Sequence, residues 1–160
     1  MLVQDFLRHS AARLPDKVAL ICGEQRLSYA QLDAMADRLA HALIVQGVGR
    51  GDRVAIHLQN SVEAVVGIFG ALKAGGTFVV VNASTKQDKL LYILNNCRTA
   101  ALLADVRSLE DGSLVRVLAG VPSLKDAFLC GDSFSGSPWP RHCHPCSEAL
   151  VGPLQGRPPE

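Results

Sequence analysis

The chain has 160 residues, 48% of them hydrophobic, and sixteen Lys and Arg stand against fifteen Asp and Glu for a formal net charge of +1. That length and balance predict one globular domain with a substantial core and exclude a disordered chain. The two signs of charge are interspersed, so no basic stripe is available to follow a nucleic-acid backbone.

The opening MLVQDFLRHSAARLPDK lacks an unbroken apolar stretch and sets Leu2, Phe6 and Leu7 on one helical stripe ahead of Pro15. This spacing predicts a short docking helix. Arg8, Arg13 and Ser10 leave a transit peptide as the competing reading. No apolar run approaches the span of a bilayer, so a soluble, cytoplasmic protein is the expectation. The five cysteines, Cys22, Cys97, Cys130, Cys143 and Cys146, are odd in number and follow no secretory signal, which favours buried or free thiols.

Next in the chain, KVALIC (Lys17 to Cys22) and QRLSY (Gln25 to Tyr29) flank Gly23-Glu24 and predict a tight hairpin. Leu32, Met35, Ala36, Leu39 and Leu43 then recur at helical spacing, with Ser28 as N-cap and Gly47 at the exit. RVAIHL (Arg53 to Leu58) reads as a strand, and Asn60-Ser61 opens a second helix over SVEAVVGIFGALKAGG. TFVVVN (Thr77 to Asn82) does not alternate, which predicts a strand buried on both faces. KQDKLLYILNNC (Lys86 to Cys97) reads as a helix, TAALLAD (Thr99 to Asp105) as a buried strand, LEDGSLVRVLAGVPSL as a broken helix, and DAFLCG (Asp126 to Gly131) as the last strand.

Alternating helices and continuous apolar strands predict an α/β fold, a three-layer αβα arrangement around a mostly parallel sheet. The domain is expected over residues 1–131. Residues 132–160, rich in proline and glycine, are expected to be a linker or a frayed tail.

GVGRGDRVAIHL, from Gly47 to Leu58, invites a phosphate-loop reading. A phosphate cradle needs its glycines after a strand and before a helix, where backbone N–H groups are free. Here Gly47, Gly49 and Gly51 follow a helix and precede a strand, at the carbonyl end of the helix dipole. They therefore read as a helix cap and turn. Ala74-Gly75-Gly76 fails the same test, and Arg50-Gly51-Asp52 is explained by the turn without an adhesion receptor. His41 and His57 stand alone and read as structural histidines. In RHCHPC, Cys143 and Cys146 with His142 and His144 offer metal-ligand types, but a second arm is lacking unless Cys130 bends back. No nucleophile elbow, zinc-protease motif or paired catalytic carboxylates are present.

A longer pattern carries a resemblance. It runs through Pro15-Asp16, Ala19-Leu20, Leu27-Ser28-Tyr29 with Leu32, Gly47-Val48, Gly51-Asp52-Arg53-Val54-Ala55, Asn60-Ser61 with Glu63, Gly70 to Gly76, and Tyr92-Ile93-Leu94. Over residues 2–131 the chain resembles the N-terminal part of the adenylate-forming superfamily of acyl-CoA synthetases, aryl-CoA ligases and peptide-synthetase adenylation domains. Asn82 is followed by Ala83 where many members have proline. ASTKQDKL is closer to the fatty and aryl acyl-CoA ligases.

The resemblance implies an ATP-dependent acid-thiol ligase. A carboxylate and ATP give an acyl-adenylate and pyrophosphate, and coenzyme A then takes the acyl group. It also implies a phosphate loop of the form Y-T-S-G-T-T-G-x-P-K-G, an aromatic-Gly-x-Thr-Glu segment for adenine and magnesium, an Asp for the ribose and a lysine on a small C-terminal domain. None of these occurs in the sequence, so no catalytic, cofactor-binding or metal residue is carried over. Three expectations follow: a truncated N-terminal fragment inactive alone, one half of a split ligase, or a non-catalytic interaction module. The first two predict an exposed apolar face through which the chain meets the missing part of the ligase or a second copy of itself.

Overall fold

The computed structural model describes residues 1–131 and 141–151. Residues 132–140 and 152–160 of the expected tail lie outside the described residues.

Helix α1 (Val3–Arg13) ends before Pro15 as expected and packs on the next two helices. Its buried side is not the expected stripe. Only Leu7 is buried, whereas Leu2 and Phe6 are 62% and 59% exposed. Strands β1 (Val18–Cys22) and β2 (Gln25–Ser28) form an antiparallel hairpin turning at Gly23. Ser28 then caps α2 (Tyr29–Val45): its hydroxyl accepts from Gln31 N, while the Gln31 side chain accepts from Ser28 N. This reciprocal pair satisfies donors that would otherwise be orphaned at the helix start.

The main sheet comprises β3 (Arg53–His57), β4 (Thr77–Val80), β5 (Thr99–Asp105), β6 (Asp126–Cys130) and β7 (Cys143–Pro145), in the order β4-β3-β5-β6-β7. Every neighbouring pair in it is parallel. Helices α3 (Val62–Lys73), α4 (Gln87–Asn96), α5 (Arg107–Glu110), α6 (Ser113–Gly120) and α7 (Cys146–Val151) complete the fold. Residues along the central strands alternate between two cores. Val54, Leu103 and Phe128 face Leu39 and Leu43 of α2 and Val66 of α3. Ala55, Leu102 and Leu129 face Leu90 and Leu94 of α4 and Val117 of α6. The expected three-layer αβα fold is therefore present, with a sheet covered on both faces.

Three expectations are corrected. β4 is an edge strand, not one buried on both faces, and Phe78 and Val80 are 38% and 60% exposed. A continuous apolar run fits an edge strand as well as a central one, because only the pairing order separates them. DAFLCG is not the last strand, since β7 follows it. The stretch expected to be a linker or frayed tail contributes both β7 and α7, with Cys146 and Leu150 buried in the core beside α2. The broken helix resolves into α5 and α6, which are separated at Gly112.

Candidate functional site

The glycine turns lie at the amino-terminal edge of the parallel sheet. At the end of α2, Gly47 N donates to Ile44 O at 2.9 Å and Val48 N to Leu43 O at 3.0 Å. At the end of α3, Gly75 N donates to Leu72 O at 3.0 Å and Gly76 N to Ala71 O at 2.9 Å. Both are Schellman caps, in which a glycine just past the helix takes the left-handed conformation. Gly47 and Gly75 accordingly have φ of 82° and 80°.

The two turns also bind each other. Gly51 N donates to Gly75 O at 2.9 Å and Thr77 N to Asp52 O at 2.8 Å. Gly49 N donates to the Asp52 carboxylate at 2.9 Å. The backbone N–H groups of Gly47, Gly49, Gly51, Gly75 and Gly76 are therefore all engaged within the fold.

Cations complete this edge. Lys125 Nζ donates to Gly47 O and pairs with Asp52 at 3.1 Å. Arg53 donates to Cys97 O, Arg98 O and Gly51 O, which neutralises the carbonyl end of α4. The Gly49 N–H bond, followed by Lys125, holds the Asp52 carboxyl below the ordinary aspartate range. The carboxylate of Arg50-Gly51-Asp52 thus serves the turn itself.

At the opposite edge the chain runs from β3 to β4 on one side and through β5, β6 and β7 on the other. The carboxyl ends of β3 and β5 flank this change of direction, the place where open α/β sheets receive ligands. His57 ends β3 there. It was expected to be a satisfied structural histidine, yet its Nε2 is buried without a hydrogen-bond partner. Burial lowers its pKa, opposed by the backbone of Asn82 and Ala83. Asp105 ends β5, where Arg107 grips it through Nε at 2.9 Å and Nη2 at 2.6 Å. That guanidinium lowers the Asp105 pKa. His41 is half-buried on α2, away from this edge.

The histidines and cysteines near the end of the chain are drawn to other partners. His144 Nε2 lies 2.9 Å and His142 Nδ1 3.6 Å from the same oxygen of buried Asp126. Cys146 is disulfide-bonded to Cys130, which corrects the expectation of free thiols for that pair. Cys143 is a buried thiol, pushed up to about 11 by burial and by Asp126. Among the described residues no group of three or more His, Cys, Asp and Glu side chains is placed to hold a metal ion. A groove of about 610 Å³ opens between β2, α2, the start of α3 and α7, lined in part by Leu27, Met35, Arg38, Glu63 and Leu150. No local pattern announces it, because its walls come from three stretches far apart in the chain.

Fold and site together define an open, doubly wound α/β domain in which glycines cap helices and no described strand runs into a helix through a glycine. The chain belongs to the AMP-binding enzyme family, whose model matches residues 7–138. It is 38% identical over 130 residues to the medium/long-chain-fatty-acid-CoA/3-oxocholest-4-en-26-oate-CoA ligase of Mycobacterium marinum, covering 81% of this chain and 23% of that relative. It is also 38% identical over 101 residues to bacitracin synthase 1 of Bacillus licheniformis, covering 63% of this chain and 2% of that protein.

Among solved structures, apo MbtA of Mycobacterium smegmatis superposes with a TM-score of 0.85 at 26% identity, over 100% of this chain and 28% of that one. The N-terminal domain of FACL13 from Mycobacterium tuberculosis gives 0.79 at 26% identity, over 98% and 37% respectively. The expected kinship with the N-terminal part of the adenylate-forming superfamily is borne out. The chain spans 23% of the length of the mycobacterial ligase. No helix among the described residues is long and apolar enough to cross a membrane.

Proposed function

We propose that this chain is the N-terminal scaffold of an ATP-dependent acid-thiol ligase of the acyl-CoA synthetase type, and that it does not turn over ATP by itself. The observation that carries this reading is the engagement of all the glycine N–H groups in the two Schellman caps and the contact between them. Adenylation is electrostatic work on a polyphosphate, which calls for oriented donors, cations and magnesium around the transferring group. Here Lys125 and Arg53, two of the cations at the glycine edge, bind carbonyl oxygens. The glycine edge therefore does not fit a triphosphate with its magnesium. ATP, magnesium and coenzyme A would be held by the rest of a complete ligase. The scaffold's task is to position that remainder through its sheet and helices.

The name of the Mycobacterium marinum relative supports a carboxylic acid with a long apolar body as the substrate class. The ATP and coenzyme A that such a reaction consumes support a cytoplasmic location. The test is a chimera in which residues 2–131 replace the corresponding segment of the mycobacterial ligase. Pyrophosphate exchange is expected from the chimera and not from the isolated chain. Exchange by the isolated chain, or a folded chimera with none, would contradict the reading.

A further inference from the structure

We propose that Cys130 and Cys146 form a thiol-operated latch: the closed disulfide docks α7 on the sheet, and a reductant of the glutathione or dithiol class releases it. This goes beyond the ligase reading and does not depend on it. It concerns residues 143–151, which lie past the 7–138 matched by the family model.

Both elements of residues 143–151 are short. β7 has three residues and α7 has six. A helix of that length is far below the ~12–15 residues at which an isolated helix becomes even marginal in water. What fixes β7 is its pairing with β6, the bond from Ala127 N to His142 O at 2.8 Å, and the contact of His144 with Asp126 at 2.9 Å. Helix α7 packs on α2 and β6 through Leu150 and the partly buried Ala149, and is tied further by one bond from Arg38 Nη1 to Leu150 O at 3.3 Å and by the disulfide.

The disulfide spans 16 residues of sequence. Closing a loop of that size restrains the open segment by a factor on the order of a hundred in equilibrium constant. The covalent link therefore contributes strongly to the docking of α7, while β7 keeps its own pairing with β6.

Both sulfurs are buried, so exchange requires α7 to lift, which couples the redox state to docking. In the reaction a reductant thiolate attacks one sulfur, the S–S bond breaks, and a mixed disulfide forms while the other cysteine leaves as thiolate. A second reductant thiol resolves the mixed disulfide. Two reductant thiols become one disulfide, and Cys130 and Cys146 end as protonated thiols. Cys143 projects into the core on the other face of the sheet, and its raised pKa keeps it protonated and out of the exchange. Release of α7 would take Leu150 from the wall of the groove and its carbonyl from Arg38. The groove would then open toward solvent.

The experiment is hydrogen exchange by mass spectrometry on the whole chain, oxidised and after treatment with dithiothreitol, with non-reducing peptide mapping alongside. The expected results are a linked Cys130–Cys146 peptide and exchange of α7 about a hundredfold faster after reduction, with β3 and β5 unchanged. Cys146→Ser should show the fast pattern without reductant, and Cys143→Ser should behave as the parent chain. Failure to find the linked peptide, or the same α7 exchange in both redox states, would overturn the proposal.

Discussion

Replacing Lys73 with alanine should lower the unfolding free energy by about 3 kcal/mol, because it strands two carboxylates that the ammonium now holds together. Lys73 sits at the end of α3 with its side chain 1% exposed, and its Nζ lies 2.6 Å from Asp33 and 2.7 Å from Asp37. It also donates to the Asp33 carbonyl at 3.1 Å. Asp33 and Asp37 are one helical turn apart on α2, so without the lysine they repel across the same face. Part of the loss is recovered by water, since both carboxylates keep some exposure. Urea unfolding with linear extrapolation measures the effect. Combining Lys73→Met with Asp33→Asn and Asp37→Asn should restore much of it, because no unpaired charge then remains. A loss below about 1 kcal/mol for Lys73→Ala would mean the pair contributes no more than a surface ion pair.

Gly70→Val should cost about 3 kcal/mol, the upper end of what overpacking a core costs. Gly70 faces Leu39, and a Cβ built on it would lie 2.8 Å from Leu39 Cδ2 and 3.0 Å from both Leu39 Cβ and Cγ. Those inner atoms cannot swing away as the tip of a flexible side chain would. Leu39 is fully buried, so relief requires α2 and α3 to separate. Valine gains some helix propensity over glycine, a few tenths of a kcal/mol, which does not offset the clash. The check is a double-mutant cycle with Leu39→Ala, which opens the space a larger residue needs. Its two losses should sum to more than the loss of the double variant. Strict additivity would show that the helices do not meet at this point.

Gly70 also marks a limit of the sequence. A glycine inside a helical pattern announces only a propensity penalty, and the reason for it lies on a different helix. Where the signal was local, the sequence was legible. Ser28 with Gln31 declared the start of α2, and the order helix, glycine, strand placed Gly47 and Gly75 at helix ends. Where the cause was long-range, the reading failed. TFVV of β4 was apolar enough for a central strand, yet the pairing order leaves it at the edge. Three residues of β7 are too few for periodicity, and the proximity of Cys130 to Cys146 exists only once β7 lies beside β6. His57 was visible as a residue but not as a half-buried ring with a buried, unpartnered Nε2 at the sheet's point of divergence.

Arg98 adds a related lesson. It occupies the position after α4 with φ of 51°, where a glycine would be the usual occupant. Its amide bonds Asn95 O at 3.0 Å, and the Arg53 guanidinium holds its carbonyl. A left-handed helix end can thus be stabilised by a neighbouring cation, and sequence patterns that look for glycine will miss it.

The glycine amides serve the fold and offer nothing to a polyphosphate, which an ¹⁵N-resolved titration of the chain with ATP and magnesium can decide. The amide signals of Gly47, Gly49, Gly51, Gly75 and Gly76 are expected to stay in place to millimolar nucleotide. Saturable shifts confined to those five amides would contradict it.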